Sequence, residues 1–195
     1  MPQTRGRPRQ AATDAAIVRA AVELMTEVGA DGTTLAAVAR RAGVARATVY
    51  LRWPTRSALV GAAARAAVGG QPMPLSGNLE ADIRFAASYI RKVFANPTFA
   101  ALVPEIVRGS LAQPPELRFE EIAPRRPVMA QIYRDQAAEA GFDTTADPNL
   151  PFDIMLGTAL VQLMSYRRPM TEAEADTLAE VVIRGLRAAS PDAAG

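Results

Sequence analysis

The segment Thr34–Trp53, TLAAVARRAGVARATVYLRW, reads as two short helices joined by a tight turn. Leu35, Val38, Ala39 and Ala42 recur at i, i+3, i+4 and i+7, which makes one apolar helix face. Gly43 follows at once, where a helix terminus favours a residue that tolerates positive φ. Val44 opens a second segment whose Val49 packs inward, leaving Arg46, Ala47, Thr48, Tyr50 and Arg52 to face outward. Two crossed helices with a glycine-containing turn form a helix-turn-helix, and the second helix of that motif fits the DNA major groove. The segment therefore points to a DNA-binding protein.

The flanking sequence frames this motif. A first helix is expected over about Ala12–Val28, with Ile17, Ala20, Ala21, Leu24 and Val28 on its buried stripe and Gly29 and Gly32 as breakers. Thr34 is placed to cap the second helix through its hydroxyl. Arg40 and Arg41 suit the dipole at that helix's far end. Pro54 closes the third helix by pushing Trp53 out of helical geometry, and Thr55 caps a fourth helix over Arg56–Val68. The breaker cluster Gly69-Gly70-Gln71-Pro72-Met73-Pro74 marks a boundary. Residues 1–10 form an expected disordered basic arm, 11–70 a helix-turn-helix domain, and 71–195 a larger helical body. Body helices are expected over 78–95, 97–111, 115–141 (interrupted at Pro124 and Pro127), 148–166 and 171–189. Thr171 and Glu174 form a capping box at the last of these. The fold class is all-α, with about nine helices.

Composition narrows the function. The chain has 195 residues, 49% of them apolar, enough to bury a sizeable core. It contains no Cys and no His, which excludes disulfides, Cys/His zinc sites and nucleophilic sites built on a thiol or an imidazole base. Carboxylate chemistry survives that test, but Glu105, Glu120 and Glu121 have no diagnostic spacing, so no enzymatic activity and no cofactor are expected. No stretch reaches the roughly 18–20 apolar residues of a membrane span, and a cytoplasmic location is expected. Net charge is only +2, yet residues 1–68 carry ten arginines against four acids, while the remainder carries twelve basic against sixteen acidic side chains. A basic head on an acidic body implies that the head alone meets a polyanion.

Residues 12–60 resemble the N-terminal region of the TetR family of bacterial transcriptional regulators. The resemblance rests on Gly29, Thr34, Val38-Ala39, Gly43-Val44, Thr48-Val49-Tyr50, Trp53 and Ala58-Leu59. It implies a homodimer whose two heads enter successive major grooves of an operator, and repression relieved by a small molecule bound in the body. Carried over by position, Arg46, Ala47 and Thr48 stand where the family reads bases. Arg46 suits a bidentate contact to guanine, and the methyls of Ala47 or Thr48 suit a thymine methyl. Tyr50 and Arg52 match contacts along the groove edge and to phosphate, Arg56 matches a phosphate contact at the fourth helix, and Thr34 adds another. Arg5, Arg7 and Arg9, in the run Arg5-Gly6-Arg7-Pro8-Arg9, resemble an AT-hook, an extended segment that enters the narrow minor groove of A·T-rich DNA.

By the same resemblance the last two helices form the dimer interface, through Leu156, Gly157, Ala159, Leu160, Leu163 and Met164 on one and Val181, Val182, Gly185 and Leu186 on the other, giving a four-helix bundle across a two-fold axis. Phe85, Tyr89, Phe99, Phe119, Met129 and Tyr133 are candidate pocket residues for a largely apolar effector. Arg125, Arg126, Arg167 and Arg168 are expected on a solvated face. The reading is a ligand-released repressor acting on a palindromic operator. The alternative is an architectural DNA-binding protein without ligand response, which the large apolar, acidic body disfavours.

Overall fold

The computed structural model describes residues 7–68, 76–111 and 125–187. Among them are nine helices and no strand: α1 (Arg7–Gly32), α2 (Leu35–Arg41), α3 (Arg46–Arg52), α4 (Arg56–Val68), α5 (Leu79–Ala95), α6 (Pro97–Leu111), α7 (Arg126–Gln136), α8 (Leu150–Tyr166) and α9 (Glu172–Gly185). The all-helical expectation holds. The helices sort into two compact units, α1–α4 with α6, and α5 with α7–α9.

In the first unit, α1 begins at Arg7, not Ala12, so residues 7–10 are helical and the disordered arm expected over 1–10 does not extend through them. Pro8 explains the early start, because a proline in the first turn forfeits no helical hydrogen bond and arrives with φ preset. Residues 1–6 lie outside the described residues. Ile17, Ala20, Ala21, Leu24 and Met25 form the buried stripe. Val28 was expected on it but is 55% exposed, because the helix breaks at Gly29 (φ 75°) before another inward turn forms. Thr34 caps α2 by accepting from the Ala37 N–H at 3.1 Å, and Thr55 caps α4 from Ala58 at the same distance. Such a cap stabilises its helix by about 1 kcal/mol.

Helix α6 packs against α1 and α4, although the sequence division after residue 70 groups it with the body. Its stripe Phe99, Leu102, Val103 and Ile106 is buried. Asn96 ties the arrangement together, accepting from the Phe99 N–H through Oδ1 and donating from Nδ2 to the Ala67 carbonyl, each at 3.0 Å. Gly109 lies so close to α4 that a Cβ there would collide with Ser57 Oγ.

The second unit buries Leu79, Ile83, Ala86, Ala87, Ile90 and Phe94 of α5 together with Met129, Tyr133, Phe152, Met155, Ala159, Ala179 and Ile183. Truncating one such Leu or Ile costs about 2–5 kcal/mol. Helix α7 ends at Gln136, short of the expected Gly141, and the chain leaves through turns to Gly141 (φ 71°). The expected stretch before it, residues 115–124 including Pro124, lies outside the described residues. Arg126 donates to both Asp153 carboxylate oxygens at 2.7 and 2.6 Å, joining α7 to α8. Arg84 pairs with Glu180 and Arg187 with Glu80. At α9 the capping box is complete: Thr171 Oγ1 accepts from the Glu174 N–H at 3.2 Å, and Glu174 accepts from the Thr171 N–H at 2.8 Å. Arg168 also donates to both Glu174 oxygens at 2.8 and 2.7 Å. These hydrogen bonds, from Arg168 first and the Thr171 backbone second, hold the Glu174 carboxyl at about 2.

Candidate nucleic-acid interface

The turn between α2 and α3 is built by its backbone. Ala42 donates to Val38 O at 2.9 Å and Val44 to Ala39 O at 3.0 Å, with Gly43 between them at φ 67°. A Cβ on Gly43 would meet nothing within 4 Å, so its left-handed conformation, and not lack of space, is what demands glycine. Ala45 is extended (φ −63°, ψ 142°) and starts α3 without a side-chain cap. Trp53 leaves the helix at φ −129°, ψ 87°, outside the helical region that a following proline disfavours.

Val49 is fully buried and anchors α3. Arg46, Ala47 and Tyr50 are exposed, as the sequence implies, while Thr48 and Arg52 are half-buried. No ion pair holds Arg46 among the described residues. Three of the other expected contacts, Arg52, Arg56 and Thr34, carry partners within the protein. Arg52 pairs with Asp14 of α1 and donates to its own helix at Thr48 O, 3.3 Å away. Arg56 sits 3.8 Å from the buried carboxylate of Glu105, which also accepts from Arg108 at 2.6 Å. The Thr34 hydroxyl serves the α2 cap. Arg7 and Arg9 belong to the first turn of α1, a helical backbone where the AT-hook reading needs an extended one, and Arg5 lies outside the described residues.

Charge is arranged around this surface. Residues 32–79 contain no acid and six arginines (Arg40, Arg41, Arg46, Arg52, Arg56, Arg65). Arg41 clamps α2 to α1 by donating to both Glu27 oxygens at 2.9 and 2.7 Å, and that hydrogen bonding raises the Arg41 pKa and lowers that of Glu27. Arg40 and Arg46 remain exposed toward solvent. One outward residue escaped the sequence reading: Leu51, 84% exposed. Its signal was available, because it follows Ala47 by one helical turn.

The second unit revises the remaining expectations. Phe85 and Tyr89 stack at 6.4 Å with Arg125 4.3 Å above the Tyr89 ring. Met129 and Tyr133 are buried core. The Tyr133 hydroxyl donates to the Asp143 carbonyl at 2.8 Å, its ring meets Phe142 edge-on, and burial pushes its pKa up. Phe99 belongs to α6 of the first unit, and Phe119 lies outside the described residues. Arg125 and Arg126 are half-buried against a ring and a carboxylate in place of the solvated face expected for them; Arg167, at the left-handed end of α8, and Arg168, in an exposed pair with Glu174, are exposed as expected. Of the expected interface residues, Leu156, Val182 and Leu186 are buried within the protomer, Leu160 and Leu163 are half-buried, and Gly157 is exposed with open space above it. Met164 and Val181 of the expected faces are outward, at 48% and 60% exposure, and Val161, which the sequence reading did not name, is outward as well at 53%. A groove of about 380 Å³ runs between α8 and α9, lined by Thr158, Gln162, Met170, Ala173, Glu174, Thr177, Leu178 and Val181.

A buried Val49 under an exposed, acid-free helix after a left-handed glycine turn defines a helix-turn-helix DNA-binding protein. Residues 17–63 match the family described as bacterial regulatory proteins, tetR family, and residues 73–182 match the tetracyclin repressor-like C-terminal domain. The chain belongs to the TetR family of transcription regulators. It is 25% identical over 193 residues to the HTH-type transcriptional regulator YdeS of Bacillus subtilis (strain 168), covering 97% of this chain and 98% of YdeS. Its fold is similar to the TetR family transcription regulator SCO0332 (TM-score 0.68, 20% identity, 90% of this chain and 99% of that one). It is also similar to the fold of the transcriptional regulator FadR from Bacillus subtilis, solved with stearoyl-CoA (TM-score 0.62, 17% identity, 89% and 99%). No helix among the described residues is long and apolar enough to cross a membrane.

Proposed function

We propose that this protein is a repressor that binds a palindromic operator as a homodimer and releases it when a small, largely apolar ligand occupies the C-terminal domain. The observation that carries the DNA half is the outer face of α3, where Arg46, Ala47 and Tyr50 stand exposed above buried Val49. Arg46 reads guanine O6 and N7, and Ala47 or Thr48 meets a thymine methyl. Tyr50 follows the groove edge and Thr34 meets a phosphate. Arg52 and Arg56 reach phosphates by exchanging Asp14 and Glu105 for the DNA anion. Arg5, Arg7 and Arg9 reach the flanking minor groove if the first turn of α1 unwinds on A·T-rich DNA.

The homodimer forms through the outward surface of α8 and α9, around Val161, Met164 and Val181, because the inner residues are already used within the protomer. The ligand half draws support from FadR, whose structure contains stearoyl-CoA, a molecule with a long apolar chain. Among the described residues, Phe85 and Tyr89, half-buried and stacked, are the expected pocket aromatics of the second unit placed to meet such a ligand.

Fluorescence anisotropy against duplexes tiling the DNA upstream of the protein's own gene, beside a shuffled duplex at the same salt, tests the proposal. Tight binding to one tile, reversed by an apolar ligand, is the expected result. Equal binding to every selected and shuffled sequence would remove the repressor reading.

A further inference from the structure

The outer face of α3 contains more than the residues discussed so far. At about 100° per residue, positions 46, 47, 50 and 51 share one face of the helix in two columns, 46 with 50 and 47 with 51. Exposure follows that geometry: these four are exposed, while Thr48, Val49 and Arg52 point inward to varying degrees. The first column, Arg46 and Tyr50, is polar at its tips. The second, Ala47 and Leu51, is purely aliphatic. Leu51 is more exposed than any other large apolar side chain among the described residues, at 84%.

A single exposed leucine on an ordinary surface has no meaning by itself. This one continues the surface that enters DNA, one turn beyond Ala47, and no acid lies between residues 32 and 79. Arg40 and Arg46 are exposed in the same acid-free stretch of sequence, a charge balance that suits a polyanion and disfavours a second positively charged head. In the major groove the only apolar group that marks sequence is the 5-methyl of thymine. Ala47 offers one methyl, and Leu51 offers a longer, branched side chain displaced by one helical turn along the groove.

We infer that Leu51 is a specificity-determining residue that packs, beside Ala47, against the 5-methyl group of one thymine in each half-site. This rests on the reading of α3 as the base-reading helix. A buried methyl contributes about 0.8 kcal/mol, equivalent to about fourfold in affinity.

The test uses the full-length protein and a duplex enriched by it from a random pool. Each thymine is then replaced singly by deoxyuridine, which removes only the methyl. Wild type should lose about fourfold at one thymine per half-site. Leu51→Ala, which disturbs no packing at 84% exposure, removes the contact from both half-sites, so it should bind the parent duplex about sixteenfold more weakly and show no response to uridine at that thymine. It should keep the wild-type response at every other position. Identical uridine profiles for the two proteins would overturn the inference, as would a Leu51→Ala loss independent of uridine, which would mean a contact to deoxyribose. A pool from which no sequence is enriched would instead remove base reading by α3, and the inference with it.

Discussion

Arginine does opposite work in the second unit and on the outer face of α3. In the second unit, Arg84, Arg126, Arg168 and Arg187 each face a carboxylate on another segment and Arg184 faces one within its own helix, so their charge is consumed inside the protein. On the outer face of α3, Arg46 has no such partner among the described residues, and the sequence around it holds no acid over residues 32–79. Arg52 and Arg56 stand between these extremes, near the helix-turn-helix yet paired with Asp14 and Glu105. The exposed basic face of α3 is therefore defined by where carboxylates are withheld, which a net charge of +2 conceals.

The comparison breaks most severely if the second unit governs DNA affinity through dimerisation. Val161→Asp, on the outward surface, should convert the protein to monomers in analytical ultracentrifugation. It should weaken operator binding by about 10²–10⁴, the avidity that two linked half-site contacts supply. A dimer that survives this change would move the interface off α8. Next in size, Arg46→Ala should cost about 1–3 kcal/mol in operator affinity and relax one base position. Its thermal unfolding should stay within about 0.5 kcal/mol of wild type, as at other exposed sites. Arg126→Ala should do the reverse, lowering stability by about 1 kcal/mol in urea titration while leaving operator affinity untouched. The figure is modest because the Arg126 and Asp153 side chains keep 24% and 33% exposure. An affinity change of the Arg46 size would erase the distinction between the units.

The smallest effect is a matter of pH. Glu174 ionises at about 2 in the folded protein, against 4.5 ordinarily. A depressed carboxylate contributes stability that is fully present above its unfolded pKa and is lost as pH falls through the folded one. The contribution from Arg168 and Glu174 should therefore fade between about pH 4.5 and pH 2. In Arg168→Ala the Glu174 resonance should titrate closer to 4.5, and melting temperatures should fall less across that window. NMR titration and calorimetry check both statements; an unchanged Glu174 midpoint in the variant would deny Arg168 its role.

Much of this molecule was legible because local chemistry dictated it. Gly43, Thr34, Pro54 and the Thr171-Glu174 pair each act within a few residues of themselves, and each behaves as its sequence context requires. Val49 inside and Arg46 outside follow from helical period alone. The errors share a different cause. Helix α8 is apolar nearly all round, so periodicity could not separate the side buried at Leu156 from the outward side at Val161. Partnerships across long sequence distances were equally silent: nothing near Arg56 announces Glu105, and nothing near Arg52 announces Asp14. Aromatic residues were read as pocket walls by type, yet Tyr133 is core, with its hydroxyl tied to a backbone carbonyl.

The packing of α6 against α1 and α4 has a consequence for modularity. The portion of the gene that encodes the DNA-reading unit is split, with residues 97–111 encoded downstream of α5, a helix of the other unit. Recombination at the Gly-Gly-Gln-Pro stretch, natural or engineered, would strand α4 without the partner that Gly109 allows so near to Ser57. A chimaera that grafts this head onto a foreign sensor must carry both segments, or take α6 from a donor with an equally small residue at that crossing.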